Sequence, residues 1–419
     1  MKKIICILII ISALAGSFKA VYSQWTLQNT GISINLNRIQ FVNSQTGWAG
    51  GYQAIPVQYT LIKSTNGGAS WFNQTLNLPS GNRIISLFFL DANTGWICGA
   101  DGFFKTTNGG DNYFTQTSPS IVTYDCYFVN ALTGWAVGLT GSTGKVDKST
   151  DGGNTWTTQT SNISQYEQLF SVHFEDLMTG WCAGYSTIIK TTNGGVNWTP
   201  QSHPACSNIT CIYAVSSNNA WVSAEAGTVL STTNGGTDWV LKYTGYSNQV
   251  NSVFFTNSMT GYAVTLPARI LKTTNSGTNW YSQFSDTSLL KFNNVFFLSD
   301  DTGYVCGWQG KVYKTTNAGG PIGIKEINGI IPESYFLSQN YPNPFNPVTK
   351  IKFDIPKTCS VELIVYDMLG KQIEVLVNKN LSPGLYVADF DAGKLSGGVY
   401  FYRIIAGDSI STRKMLLIK

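Results

Sequence analysis

The chain has 419 residues, of which 12% are charged and 13% aromatic, and a formal net charge of +4. Part of that excess sits in Lys2, Lys3 and Lys19 near the start, so no basic footprint for nucleic acid is left. Glycine, aromatic and small polar residues without a long amphipathic helical period point to an all-β chain of more than one domain.

The first element is Lys2 and Lys3 followed by the apolar run 4–15 and small residues up to Gln24. This pattern predicts a secretory signal peptide over 1–23, cleaved before Gln24. A membrane span needs roughly 20 apolar residues, and Ser12, Gly16, Ser17 and Lys19 interrupt this run. Cys6 would leave with the signal, so no lipid anchor is expected, and the eight cysteines become seven. That odd number lacks the paired spacing of a zinc site or a disulfide scaffold. Cys206 and Cys211 are near enough in sequence to bridge, and both the bridged and the free state remain open.

A repeat fills residues 24–320. Thr-Gly-aromatic recurs at Thr46-Gly47-Trp48, Thr94-Gly95-Trp96, Thr133-Gly134-Trp135, Thr179-Gly180-Trp181, Thr260-Gly261-Tyr262 and Thr302-Gly303-Tyr304, with a degenerate copy at Asn219-Ala220-Trp221. About twenty residues after each copy, a Thr-Asn/Asp-Gly-Gly tract leads to a closing aromatic residue at Trp71, Tyr113, Trp156, Trp198, Trp239 and Trp280, in steps of 42, 43, 42, 41 and 41 residues. A period near 40 built of short strands and glycine turns predicts one four-stranded propeller blade per copy, because each blade shields both faces only against its neighbours. The innermost strand carries Phe41, Phe89, Phe128, Phe174, Phe255 or Phe297, and the outermost is expected to begin at the closing aromatic. The seventh copy reaches Gly319-Gly320 and meets Pro321 without a fourth strand, while Trp25-Thr26-Leu27-Gln28 reads as a fourth strand lacking a third. The pattern therefore predicts a seven-bladed propeller closed by its N-terminal strand, which removes two open sheet edges.

The tract Ser149-Thr150-Asp151-Gly152-Gly153-Asn154-Thr155-Trp156 resembles the Asp-box of the sialidase, sortilin and xyloglucanase propellers, with Asn66, Asn108, Asn193, Asn234 and Asn275 in the Asp place elsewhere. The whole unit looks most like the photosystem II assembly and stability factor-like propellers. That resemblance implies a structural Asp-box whose side chain bonds its own hairpin, in agreement with Asx-turn physics. Sialidase chemistry needs an arginine triad and a tyrosine nucleophile, and Arg38, Arg83 and Arg269 lack the surrounding motif.

Candidate chemistry is sparse. Asp125, Glu167, Glu175 and Asp176 are the carboxylates near innermost strands, read here as solvated loop charges and alternatively as a glycosidase pair. His173 and His203 have no metal-ligand spacing, and His173 reads as packing; no metal or cofactor is expected. Aligning innermost strands on Phe41 places Arg38, Ser86, Asp125, Ser171, Cys211, Ser252 and Asn294 at one position, three residues before the anchor. Such a ring would line the channel near one mouth, either as a ligand site or as polar packing where strands crowd the axis.

After a linker over 321–334 the composition changes. Asn343-Pro344-Phe345 within 336–349, Gly370 after Val365-Tyr366-Asp367, Gly397-Gly398-Val399-Tyr400, and the terminal Lys414 to Lys419 closely resemble the type A C-terminal sorting domain of the type IX secretion system. Alternating apolar runs between Gly and Pro turns independently predict a small immunoglobulin-like β-sandwich over 335–419. The resemblance implies outer-membrane translocation and secretion or surface display, with the type IX machinery as a partner. Together these readings describe a non-catalytic propeller that binds a protein or glycan at the cell surface. A glycoside hydrolase and a surface assembly factor are the rival readings, between which fold does not decide.

Overall fold

The computed structural model describes residues 25–418, apart from 56, 77–82, 101, 121, 165–166, 320–324, 327–331, 382 and 394. The expected signal peptide over 1–23 and Lys419 of the sorting signature lie outside the described residues. No helix among the described residues is long and apolar enough to cross a membrane.

Seven four-stranded antiparallel sheets occupy residues 26–315. In sequence order they span 38–73, 84–116, 122–158, 171–200, 211–243 and 250–285, called sheets 1 to 6 below, and sheet 7 combines Phe292–Phe297, Gly303–Gly307 and Val312–Thr315 with Thr26–Gln28. The innermost strands Arg38–Phe41, Ile84–Phe89, Val122–Phe128, Ser171–Phe174, Cys211–Ala214, Val250–Phe255 and Phe292–Phe297 each touch the next, and the last touches the first. The result is a β-propeller around an axial channel. Thr26 stands opposite Lys314 and Gln28 opposite Val312, and Trp25 is buried edge-on against Tyr262 and Phe297. The outermost strands begin one residue after the closing aromatic, as at Phe72 and Thr157, because that ring is drawn inward to cover the innermost strand's phenylalanine.

Packing accounts for the repeat. A Cβ on Gly47 would lie 2.4 Å from the Phe41 ring, and Gly180 stands as close to Phe174, at 2.3 Å. The glycine of Thr-Gly-aromatic is therefore required by close approach. The aromatic residue that follows stacks on the next sheet's phenylalanine, Trp48 on Phe89 at 3.6 Å and Tyr304 on Phe41 at 3.8 Å. In sheets 1, 2, 5, 6 and 7 its polar tip donates to the next sheet's hairpin: Trp96 Nε1 to the Gly152 carbonyl at 2.9 Å and Tyr304 Oη to that of Gly67 at 3.0 Å.

The lysine before Ser/Thr-Thr lies over the same ring and reaches the same hairpin, as Lys148 does in donating to Gly194 at 2.8 Å and Lys314 to Gly67 at 2.6 Å. Sheet 5 has Ser231 in that place, and Lys242 on its outermost strand supplies the ammonium instead, donating to the Ser276 carbonyl at 2.6 Å. In the Asp-box, Asp151 accepts from the Thr155 amide and hydroxyl at 2.9 and 2.6 Å, which holds its pKa down at about 2. Asn66 accepts from the Ser70 amide at 2.9 Å in the same way.

The C-terminal residues form two further four-stranded sheets sharing one core that includes Ile351, Phe353, Leu363, Val365, Tyr402 and Met415. All seven described cysteines are free thiols, Cys206 and Cys211 included.

Candidate binding site in the axial channel

The equivalent residues Arg38, Ser86, Asp125, Ser171, Cys211, Ser252 and Asn294 meet around the axis as a chain of bonds between sheets. Asp125 accepts from Ser86 Oγ at 2.7 Å, the Cys126 amide at 3.1 Å, Ser171 Oγ at 3.3 Å, the Val172 amide at 3.2 Å and Arg38 Nη2 at 3.3 Å. Ser171 in turn accepts from the Ile212 amide at 3.2 Å, Asn294 donates to Ser252 at 3.2 Å and accepts from the Ile39 amide at 3.1 Å, and Ser252 donates to Cys211 Sγ at 3.9 Å. Where this chain passes from sheet 1 to sheet 2, Gln40 holds both backbone groups of Phe89, at 2.8 and 2.9 Å.

The reading of Asp125 as a solvated loop charge is corrected. Its side chain is 2% exposed within an innermost strand, and several hydrogen bonds replace the water it lost. Arg38 is 30% exposed, and Asp125 raises its pKa against the opposing effect of burial. Glu167, Glu175 and Asp176 do not join this ring; Glu167 accepts from Ser186, and Asp176 accepts from the Met178 and Thr179 amides of its own turn.

A second ring lies two residues further along the same strands. Phe88, Tyr127, His173, Tyr213, Phe254 and Phe296 follow one another with ring centroids 4.8, 4.9, 4.7, 4.3 and 5.6 Å apart. Gln40 fills the remaining place. Period 2 puts both rings on the channel face of each strand. Burial and the Arg38 charge push the His173 pKa down to about 4, so the imidazole is neutral at physiological pH, while burial raises that of Tyr127 to about 12. The aromatic collar and part of the polar ring enclose a cavity of about 420 Å³. The alignment that exposes the polar ring carries the collar too, in the residue just before the anchor position, which is Ala214 in sheet 5 and a phenylalanine in the other sheets.

The residues of the sorting signature also converge. Phe345 is buried, its amide donates to the Leu416 carbonyl at 2.9 Å, and its own carbonyl accepts from the Ile418 amide at 2.9 Å. Asn343 Oδ1 accepts from the Leu416 amide at 2.9 Å, and the peptide bonds before Pro342 and Pro344 are cis. The opening of this domain is thus zipped to the strand Ser409–Leu417, which contains Lys414. Gly370 takes a φ of +78° in the turn from Asp367 to Lys371, and Gly398 opens the strand Gly398–Ala406 beside the last one.

A family model of the photosynthesis system II assembly factor YCF48 matches residues 18–164 and 114–245. The chain belongs to the YCF48 family. This YCF48-family chain also matches the secretion system C-terminal sorting domain over residues 339–419. No curated protein matches it in sequence. Among solved structures it is similar to YCF48 bound to D1 peptide, with 17% identity and a TM-score of 0.58 over 71% of this chain and 96% of the other. It is also similar to PorZ, a surface component of the type-IX secretion system of Porphyromonas gingivalis, with 13% identity and a TM-score of 0.55 over 94% of this chain and 60% of the other. A third similar structure is an ancestral GH74 enzyme, with 14% identity and a TM-score of 0.56 over 94% of this chain and 64% of the other. At such identities the likeness is one of fold.

Proposed function

We propose that this is a secreted or cell-surface, non-catalytic protein in which a seven-bladed propeller over 24–320 binds a protein or glycan partner. An immunoglobulin-like sorting sandwich over 335–419, reached through the linker 321–334, directs its export through the type IX machinery. The observation that carries the non-catalytic reading is the saturation of Asp125. Its carboxylate accepts from five protein groups, so it serves as a junction between sheets and has no free lone pair facing a substrate. A YCF48 has been seen with a D1 peptide bound, which supports a polypeptide partner. The export reading rests on the sorting-domain match and on its opening being joined to its terminal strand.

The test is a pull-down from cell-surface extract and a glycan panel with the mature chain, with reducing-sugar release assayed in the same samples. Retention of a partner without sugar release is expected. Sugar release that the Asp125→Asn variant abolishes would assign the chain to the glycoside hydrolases instead.

A further inference from the structure

We propose that the collar end of the channel receives a polypeptide carboxy-terminus whose last side chain is apolar or aromatic, with Arg38 taking the carboxylate. This rests on the binding reading above and specifies its ligand.

Size comes first. A cavity of about 420 Å³ is in the range that holds a small ligand, so it suits one or two residues of a chain. Its wall is the arc of six half-buried rings, which favours an apolar body. The amide and hydroxyl groups of Gln40, Ser252 and Asn294 in the wall are already engaged, Gln40 with Phe89 and the other two with each other and their neighbours, which leaves the phenol and imidazole tips of Tyr127, Tyr213 and His173. A sugar entering here would give up water at many hydroxyls and meet few partners, and each such loss is costly.

Charge then selects the end of the chain. Among the described residues that line the cavity there is no carboxylate, and Arg38 is the one arginine or lysine. A guanidinium carries five N–H donors, and Arg38 spends Nη2 on Asp125, whose own side chain is withdrawn from solvent. The remaining donors fit a planar carboxylate. A free chain end supplies that group next to an apolar side chain, and it needs only one strand of backbone to enter an axial opening.

Calorimetric titration of the mature chain with an acetylated Gly-Ser hexapeptide ending in phenylalanine tests this. The free acid is expected to bind, its carboxamide about tenfold or more weakly. Arg38→Gln should abolish the difference between acid and amide, whereas Phe254→Ala should weaken both. Should Arg38→Gln melt early, the acid-amide comparison on the unaltered chain and on Phe254→Ala decides alone. Equal binding of acid and amide, or no binding of either, overturns the proposal. Phenylpropionate binding as tightly as the peptide would overturn it in favour of a small organic acid. A partner from the pull-down that Phe254→Ala still retains would sink this location and leave the binding reading intact; no partner at all would sink both.

Discussion

Ala220 lies opposite Ala214 in sheet 5, at the position where the other six sheets set a glycine against a phenylalanine. The degenerate Asn-Ala-Trp is therefore a paired exchange: with no ring on one strand, the other tolerates a methyl. Gly180→Ala should cost about 1–3 kcal/mol, since its Cβ would enter the Phe174 ring. Gly180→Ala with Phe174→Ala should show favourable coupling in a double-mutant cycle read by urea denaturation. Additive losses would mean that the two positions are independent.

Trp25 seals sheet 7 from outside the repeat. Trp25→Ala should cost about 3–5 kcal/mol and lower the melting temperature. Leu27→Ala, at an exposed site on the same strand, should leave the temperature within a degree or two. A melting curve unchanged by the first substitution would show that the strand does not seal the ring.

Breaking the polar ring should be expensive. Asp125→Ala leaves Ser86, Ser171 and two backbone amides without their acceptor and Arg38 without its counter-charge, a cost of about 3–5 kcal/mol. Arg38→Gln should cost less, because Arg38 is 30% exposed. Chemical denaturation of both variants gives the order, and the reverse order would mean that Arg38 carries the junction.

His173 should make the propeller acid-sensitive. Its folded pKa of about 4 lies below the unfolded value of 6.5, so the unfolded chain binds the proton first. Stability from this residue is fully present above pH 6.5 and is lost as the pH falls from there towards 4. The loss is on the order of 1–3 kcal/mol. His173→Phe keeps the aromatic contacts and should flatten that part of the stability profile relative to the parent, while a difference profile that stays level between pH 7 and 4 would count against it.

Phe345→Ala should loosen the terminal strand from the opening of the sorting domain and reduce surface display, with the protein accumulating in the periplasm. Cell fractionation reads this out. Ile410→Ala, exposed on the same strand, is the control and should be displayed normally.

The propeller was legible because burial on two faces imposes a long period on glycine and aromatic residues, and the missing fourth strand after Gly319 pointed to Trp25. The polar ring was legible as an alignment column, but not as a set of junctions. Asp125 looks like a loop charge until Ser86 and Ser171 arrive from neighbouring sheets, a relation that depends on spacing between strands rather than along one. The collar stands one residue before the anchor, as Phe88, Tyr127, His173, Tyr213, Phe254 and Phe296, but nothing along a single strand says that these rings meet around an axis. Lys242 replacing Ser231 could not be read at all, since its ammonium arrives from another strand of the blade.

Thr26 and Lys314 are paired across a separation of 288 residues. Of the strands of the ring, the closing strand Thr26–Gln28 is made first and its partner Val312–Thr315 last, so the ring cannot shut until the whole repeat has left the ribosome. Contacts this remote form slowly, so the step that closes the ring is the one on which its folding time depends.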